Sequence, residues 1–361
     1  MTEVYNTSIS NAVTKTVMEL FDAMLSLDVA PADEVTDKAL DGSRIVGAVH
    51  YTGQIVGVVS VHVGKAFARK IAGAMLGVAR EDALDDAAIK DVIGEITNMI
   101  SGNLSTELVN SGQGCAISAP AITSGPDFDI DPLDVDLTKH LVFKHEESNM
   151  VVQLCLKEES VGEEFLIKSD GLTPEAIMEK VNSVDVATTI INSVIDVFYT
   201  MLSMEVERLE ELPAGFRAQQ HIVGSVSFAG DLDGLFNLQV NEDFAQVMTA
   251  SMLGMEIEEI EGDEEVHDVL REMSNIIGGT LKSSFVDVGL TCQLTIPSIT
   301  IGKDFRIESL KINKMEQFVF KYEDWLIIVE AGIKKDEIAT EEKTQRAEAV
   351  PDEQGPKAPE A

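Results

Sequence analysis

The chain contains an internal duplication that spans most of its length. Residues 24–146 align without a gap to residues 201–323. Identical segments recur along the whole alignment, among them Ile45-Val46-Gly47 with Ile222-Val223-Gly224 and Met75-Leu76-Gly77 with Met252-Leu253-Gly254. Copies of this length are whole domains rather than the small units of a solenoid. The duplication therefore predicts two domains of one fold, which 361 residues are enough to build.

The domain boundaries follow from composition. We place the first domain at residues 1–160, the second at 161–335 and a disordered charged tail at 336–361. The join near residues 157–172 is short and acidic, so we expect the two domains to touch. The tail is rich in charge, Pro and Ala and has no periodic apolar residue, which is typical of disorder.

The two copies share a coarse order of elements. A first long helix is predicted near Ser8–Leu27, and in the second copy near Thr173–Glu207, where Thr173 followed by Pro174 is a helix start signal. The other predicted elements of the first copy are a hairpin, a short helix capped by Gly77, a long helix and three closing strands, at Arg44–Tyr51 with Gln54–Val63, Lys65–Leu76, Asp91–Leu108, Gly114–Ala121, His140–His145 and Met150–Leu156. This order predicts an α+β fold with long helices packed on a largely antiparallel sheet.

Charge and composition exclude several classes of function. A formal net charge of −36 repels phosphate backbones and anionic lipids, so we expect no nucleic acid and no membrane surface as partner. The N-terminus has no apolar run typical of a signal peptide, and no apolar stretch approaches the length of about 18 residues that a membrane span needs. The three cysteines, Cys115, Cys155 and Cys292, are interpreted as reduced, buried thiols of a cytoplasmic protein.

The usual cofactor and metal motifs are missing from the sequence. It contains no P-loop, no Gly-x-Gly-x-x-Gly after a strand and no Cys-x-x-Cys. None of the six histidines forms a His-x-x-x-His pair, so we predict no metal site. His267 beside Asp268 suggests a catalytic base, but its counterpart in the first copy is Lys90, which weakens that interpretation.

One helical stretch in each copy carries polar residues in an unusual pattern. Apolar residues of Asp91–Leu108 and Asp268–Phe285 fall at helical spacing and define a buried face. The opposite face carries an outward stripe in each copy, formed by Asp91, Glu95, Asn98 and Gly102 and by Asp268, Glu272, Asn275 and Gly279. Asn and Gly are poor helix formers, yet both stand on this stripe in both copies. The pattern predicts a surface where the backbone of another molecule comes close, with Glu to accept from a cation and Asn to hold a water.

These residues carry a resemblance to a known family. The pattern Asp91-x-x-x-Glu95-x-x-Asn98 followed by Pro120 resembles the signature of the chemotaxis phosphatases CheC, CheX and FliY, and Asp268, Glu272, Asn275 and Pro297 repeat it. The interval from Asn to Pro is one residue shorter than the family pattern in both copies. The resemblance covers both copies and is greatest to a tandem CheX, which suggests an intramolecular pseudo-dimer.

The resemblance implies a function and a role for each residue of the stripe. Members of this family hydrolyse the aspartyl phosphate of the response regulator CheY, so the chain is expected to be a phosphatase of CheY-like receiver domains in two-component signalling. Glu95 and Glu272 would pair with the receiver's active-site lysine, and Asn98 and Asn275 would orient the attacking water. Asp91, Gly102, Asp268 and Gly279 would contact the partner, and Asp91 and Asp268 are interpreted as helix-start or rim charges. The Mg²⁺ would belong to the receiver, so no cofactor of the chain's own is expected.

Two other functions stay open from the sequence. The first is a non-catalytic docking module for a receiver or the flagellar switch, because related domains bind partners through the same fold. The second is a small-molecule sensor that uses the cleft between the domains. The presence of both Glu and Asn in both copies favours the phosphatase.

Overall fold

The computed structural model describes residues 3–32, 42–78, 84–131, 135–159, 172–213, 220–310, 312 and 315–334. The predicted domain boundary at residue 160 and the predicted tail at 336–361 lie outside these ranges. Within the described ranges the chain forms seven α-helices and two eight-stranded sheets in which every strand pair is antiparallel. The predicted α+β class, with helices packed on antiparallel sheets, is confirmed.

The first copy follows the predicted order with three additional short strands. Its elements are α1 (Glu3–Leu20), β1 (Ala30–Ala32), β2 (Arg44–Gly53), β3 (Ile55–Gly64), α2 (Lys65–Leu76), α3 (Asp86–Asn110), β4 (Cys115–Ile117), β5 (Ala121–Gly125), β6 (Asp127–Asp131), β7 (Leu137–His145) and β8 (Ser148–Glu158). Gly77 ends α2 with a left-handed φ of 63°, as its predicted C-cap role requires.

The second copy repeats this order. Its elements are α4 (Pro174–Ser183), α5 (Val186–Leu202), β9 (Glu207–Leu209), β10 (His221–Gly230), β11 (Gly234–Asn241), α6 (Glu242–Leu253), α7 (Asp263–Asp287), β12 (Cys292–Leu294), β13 (Ser298–Lys303), β14 (Arg306–Ser309), β15 (Glu316–Tyr322) and β16 (Trp325–Ile333). A short 3-10 turn, Ile257–Glu259, precedes α7.

The two predicted first helices differ from the structure. In the first copy, α1 ends at Leu20 and continues as a π-helical turn over Phe21–Leu25, so the predicted end at Leu27 was wrong. In the second copy the predicted helix is two helices, because Asp185 accepts a hydrogen bond from the Thr188 amide (3.0 Å) and so begins α5 as a new helix. Among the described helices no single one is long and apolar enough to span a membrane; α4 and α5, bent by 50°, meet that test only as a pair.

Strands are exchanged between the two sheets. The first sheet has the order β1-β7-β8-β3-β2-β5-β14, with β4 also on β2, and the second has the order β6-β13-β10-β11-β16-β15-β9, with β12 also on β10. Strand β6 of the first copy therefore completes the second sheet, and β14 of the second copy completes the first. This reciprocal exchange is consistent with the pseudo-dimer suggested by the resemblance.

Each sheet packs its helices on one face and contacts the other sheet with the opposite face. A small apolar cluster, Val46, Phe128, Val223 and Phe305, joins the two sheets. The rest of this contact is unusually polar: His50, Ser225 and Asn237 are buried there. Both ring nitrogens of His50 have no hydrogen-bond partner among the described residues, and burial lowers the pKa of His50 to about 4.

Candidate functional site

Helices α3 and α7 carry the predicted stripe, and they begin earlier than predicted. The first residue of α3 is Asp86, and Asp85 caps it by accepting a hydrogen bond from the Ala88 amide (2.8 Å). Helix α7 begins at Asp263. Asp91 and Asp268 therefore lie inside their helices, so the interpretation as helix-start charges was wrong and that as rim charges remains.

Both helices are set close against a central strand of their sheet by a glycine. A Cβ built on Gly47 of β2 would lie 2.2 Å from the Thr97 hydroxyl oxygen, and one on Gly224 of β10 would lie 2.2 Å from the Ser274 hydroxyl oxygen. These hydroxyls donate to the backbone of their own helices, to the Ile93 and Leu270 carbonyls (both 2.7 Å). The apolar faces beneath are buried, so the opposite stripe is fixed toward the surface.

The charged and amide groups of the stripe are accessible in both copies. Glu95 and Glu272 are exposed, as are Asp91 and Asp268. Asn275 is exposed, whereas Asn98 is half-buried. Partial burial, together with the nearby Asp85 carboxylate, raises the pKa of Asp91. The stripe is thus available to a partner on both helices.

The two stripe glycines face open space. A Cβ built on Gly102 would meet no atom within 4 Å, and one on Gly279 would meet only the Leu294 side chain at 3.9 Å. Neither glycine is therefore required by packing inside the described structure. Their placement leaves open space at this surface, and the approach of another backbone there stays a prediction.

The motif proline interrupts a strand beside each helix. The predicted strand Gly114–Ala121 is broken into β4 and β5, which both pair with β2, because proline has no amide hydrogen to donate to the ladder. A side chain replaces part of the lost pairing: the His50 amide donates to the Ser118 hydroxyl (3.1 Å), and the Ser227 amide donates to the Thr295 hydroxyl (2.9 Å). Sequence reasoning missed these two hydroxyls, although the alignment places them at equivalent positions.

In the second copy the predicted residues meet in one surface depression. Asp268, Glu272, Asn275 and Pro297 line a depression of about 590 Å³. Other lining residues were not predicted: Met252, Leu253, Glu265, Val269 and Arg271. Leu253 is 48% exposed, and its counterpart Leu76 in the first copy is 50% exposed, so each copy presents one bare leucine at the end of the helix before its stripe.

Arg271 is the principal difference between the two sites. It replaces Gly94 of the first copy and lies between Asp268 and Glu272 in the sequence. One terminal nitrogen donates to Asp268 (2.7 Å) and Glu264 (2.9 Å), and the other donates to Asp131. Asp131 belongs to the exchanged strand β6, so the first domain contributes a residue to the second site. Its distance in sequence explains why the contact was missed.

The first site is supported differently by the exchanged strand β14. Lys90 of α3 forms an ion pair with Glu308, the counterpart of Asp131. A Cβ built on Gly94 would lie 1.7 Å from Leu310 Cδ1, so the side chain that follows β14 occupies the space of a residue-94 side chain. The Leu310 amide also donates to the carbonyl of the motif proline Pro120 (3.3 Å). The other domain thus braces the first site mainly through apolar packing.

The remaining chemistry-bearing groups are structural. His267 is buried and hydrogen-bonds Asp131 through Nδ1 (3.1 Å), which accounts for it without a role as base. Asp131, Glu264 and His267 bring ligand atoms within 4.8 Å of one another, but the Arg271 guanidinium already contacts both carboxylates. The three cysteines are buried, as predicted, and burial raises the pKa of Cys292 to about 11.

Comparison with known proteins identifies the duplicated unit. The family model described as chemotaxis phosphatase CheX matches residues 45–142 and 222–322. A protein named CheY-P phosphatase CheX from Thermotoga maritima is 28% identical over 144 residues, which are 39% of this chain and 92% of that protein.

Solved structures give the same likeness for one copy at a time. A crystal structure of CheX from Vibrio vulnificus is 20% identical and covers 42% of this chain and 97% of its own, with a TM-score of 0.37. A CheX–CheY–BeF3–Mg complex from Borrelia burgdorferi is 19% identical and covers 42% and 99%, with a TM-score of 0.31.

Proposed function

This chain belongs to the CheX family of chemotaxis phosphatases, and on that premise we propose that it hydrolyses the aspartyl phosphate of a CheY-like receiver domain. The single observation that carries the proposal is the repeated pair of an exposed carboxylate and an accessible carboxamide on α3 and α7, each beside a strand broken by proline. A relative that matches 39% of this chain bears the name CheY-P phosphatase, which supports the same reaction.

The proposed reaction divides the work between two residues in each site. Glu95 or Glu272 accepts a hydrogen bond from the receiver's active-site lysine and so fixes the approach of the helix. Asn98 or Asn275 enters the receiver's site and orients a water for in-line attack on phosphorus. The water oxygen bonds to phosphorus while the bond from phosphorus to the aspartyl oxygen breaks, which releases phosphate and regenerates the carboxylate. Catalysis is mainly by positioning, so no nucleophile of this chain is needed.

The partner contacts follow from the accessible surface around each pair. We propose that the exposed Asp91 and Asp268 contact the receiver at the rim of each site, and that its backbone approaches over Gly102 and Gly279, where a Cβ would meet no atom closer than 3.9 Å. We propose that the Mg²⁺ required for phosphoryl transfer is the receiver's own, because carboxylates at an aspartyl-phosphate site are suited to hold it. An assay therefore contains Mg²⁺ and the phosphorylated receiver.

The test is loss of phosphate from a phosphorylated CheY-type receiver with and without the protein. We expect the wild-type chain to accelerate the loss, and Asn98→Ala combined with Asn275→Ala to abolish the acceleration while the melting temperature stays unchanged. Asn103→Ala is the matched control, because Asn103 is an exposed asparagine of the same helix that lies off the stripe.

The outcomes separate catalysis from docking. Full activity in the double variant would refute the assignment of the site. Stable binding of the phosphorylated receiver by the wild-type chain without faster phosphate loss would instead identify a docking module. Each single variant retaining part of the activity would show that both copies work.

A further inference from the structure

The second site has the cation Arg271 at the position where the first site has Gly94. Arg271 lines the same depression as Glu272 and Asn275, and its side chain is 15% exposed. Its buried Nε has no hydrogen-bond partner among the residues that the structure describes. Gly94, the residue at this position in the first copy, offers no charge and no side chain.

The guanidinium is held by acids from two domains. Glu264 and Asp268 come from α7 itself, two turns and one turn before Arg271, and both are about two-thirds exposed, at 67% and 68%. Asp131 comes from the first domain and is only 17% exposed, so its contact is the least screened of the three. His267 Nδ1 lies 3.1 Å from the same Asp131 oxygen and limits the movement of that carboxylate. Asp131 therefore fixes the direction in which Arg271 points.

We propose that Arg271 determines the specificity of the second site for its receiver and that Asp131, contributed by the first domain, is the positioning residue that holds Arg271 in place. This inference rests on the proposed function. The second site is then complete only with strand β6 of the first domain in the second sheet.

The chemistry of the partner follows from the charge. A receiver's aspartyl-phosphate site is anionic at its rim because it carries the phosphoryl group and the carboxylates that hold Mg²⁺. A guanidinium beside Glu272 attracts such a rim, and planar bidentate contact with a carboxylate or phosphoryl group is what Arg does best. The second site therefore prefers receivers whose rim carries an acid that can reach this guanidinium, whereas the first site has Gly94 at this position and its Lys90 is paired with Glu308.

The experiment reads each site alone. The Asn98→Ala background leaves only the second site active, and the Asn275→Ala background leaves only the first. In each background we compare Arg271→Met and Asp131→Asn with the parent, using a phosphorylated CheY-type receiver as probe. In the Asn98→Ala background we expect KM to rise about tenfold with kcat changed less than about twofold, because Arg271 binds the partner and Asn275 does the chemistry. In the Asn275→Ala background we expect no change.

A conservative replacement distinguishes positioning from general stability. Asp131→Glu keeps a carboxylate at this position, as its counterpart Glu308 does. In the Asn98→Ala background it should keep KM near the parent value, unlike Asp131→Asn. An unchanged KM for Arg271→Met there, or an equal rise in both backgrounds, would overturn the proposal. If even the wild-type chain fails to turn over phosphate, the proposed function fails. Receiver affinity of the same variants then tests Arg271 without catalysis, and equal affinities would refute it.

Discussion

The site helices of the two copies have the same motif but different supports. Inside each domain the support is shared: a Cβ built on the glycine of the central strand would lie 2.2 Å from the Thr97 hydroxyl oxygen in one copy and 2.2 Å from that of Ser274 in the other. Between the domains it has diverged, with Leu310 packed on Gly94 at the first site and Asp131 bound to Arg271 at the second. The groups that pack each helix closely on its own sheet are alike in the two copies. The groups that the exchanged strands bring to each site differ between them.

The two sheet faces that contact each other between the domains also differ in their buried polar residues. His50 and His62 of the first sheet stand where the second sheet has Ser227 and Gln239. Burial lowers the pKa of His50 to about 4, and burial followed by the charges of Arg44 and His140 lowers the pKa of His62 to about 4. The first domain therefore carries an acid sensitivity that the second lacks at these positions.

The largest expected effect is loss of stability in acid. Both histidines are neutral when folded, whereas in the unfolded chain they take up a proton below a pH of about 6.5. The free energy of unfolding is therefore unaffected by these histidines above that pH and decreases as the pH falls toward 4. The decrease is on the order of 2 kcal/mol per histidine at pH 5. Urea unfolding of wild type and His50→Ser at pH 7.5 and pH 5 measures it. Equal losses of unfolding free energy in the two proteins would contradict the assignment to His50.

The sequence predicted the elements that depend on local pattern. The apolar spacing of α3 and α7, the Gly77 cap and the two hairpins depend on neighbours within a few residues. Strands β6 and β14 were not predicted, because they pair with strands of the other copy. The residues next to a strand in the sequence do not indicate a pairing partner that is so distant along the chain. The break between α4 and α5 was missed because the Asp185 cap competes with an otherwise continuous apolar pattern.

The same limit applied to the site. Residues of the outward stripe were predicted because one helix presents them all, and the structure leaves them accessible. Arg271 lies next to the motif residue Glu272, and the alignment of the two copies places it opposite Gly94. This difference between the copies could have identified Arg271 from the sequence. Its contact with Asp131 required the strand exchange, so that part could not be derived from either copy alone.

The next effect concerns the apolar support of the first site. Alanine normally stabilises a helix by about 1 kcal/mol relative to glycine. Gly94→Ala should instead destabilise the protein by about 1–2 kcal/mol, because its Cβ would meet both Leu310 Cδ1 at 1.7 Å and Leu310 Cγ at 2.9 Å.

Gly102→Ala is the matched control on the same helix. Its Cβ meets nothing within 4 Å, so it should raise the unfolding free energy by about 0.5–1 kcal/mol. Thermal and urea unfolding of the two variants and of the wild type measure these changes in unfolding free energy. A stabilising Gly94→Ala would show that Leu310 does not brace the first site.

The smallest expected effect concerns the two bare leucines. Leu76 and Leu253 are about half exposed, so replacing either by Ala should change the unfolding free energy by less than about 0.5 kcal/mol. Leu253 lines the depression that holds the second stripe, and Leu76 is its counterpart in the first copy. We therefore expect Leu253→Ala to raise KM about threefold in the Asn98→Ala background and Leu76→Ala to do so in the Asn275→Ala background. Phosphate-loss kinetics measure both, and a change at the opposite site would argue against local contact.

The exchange of β6 and β14 has a consequence for how such a pair of sites can evolve and operate. In a homodimer any substitution occurs twice, and dilution separates the subunits. Here the covalent connection keeps both exchanged strands at high effective concentration, so assembly does not depend on how much protein the cell makes. One chain can then carry two sites of different composition, and each site can change by substitution without the other.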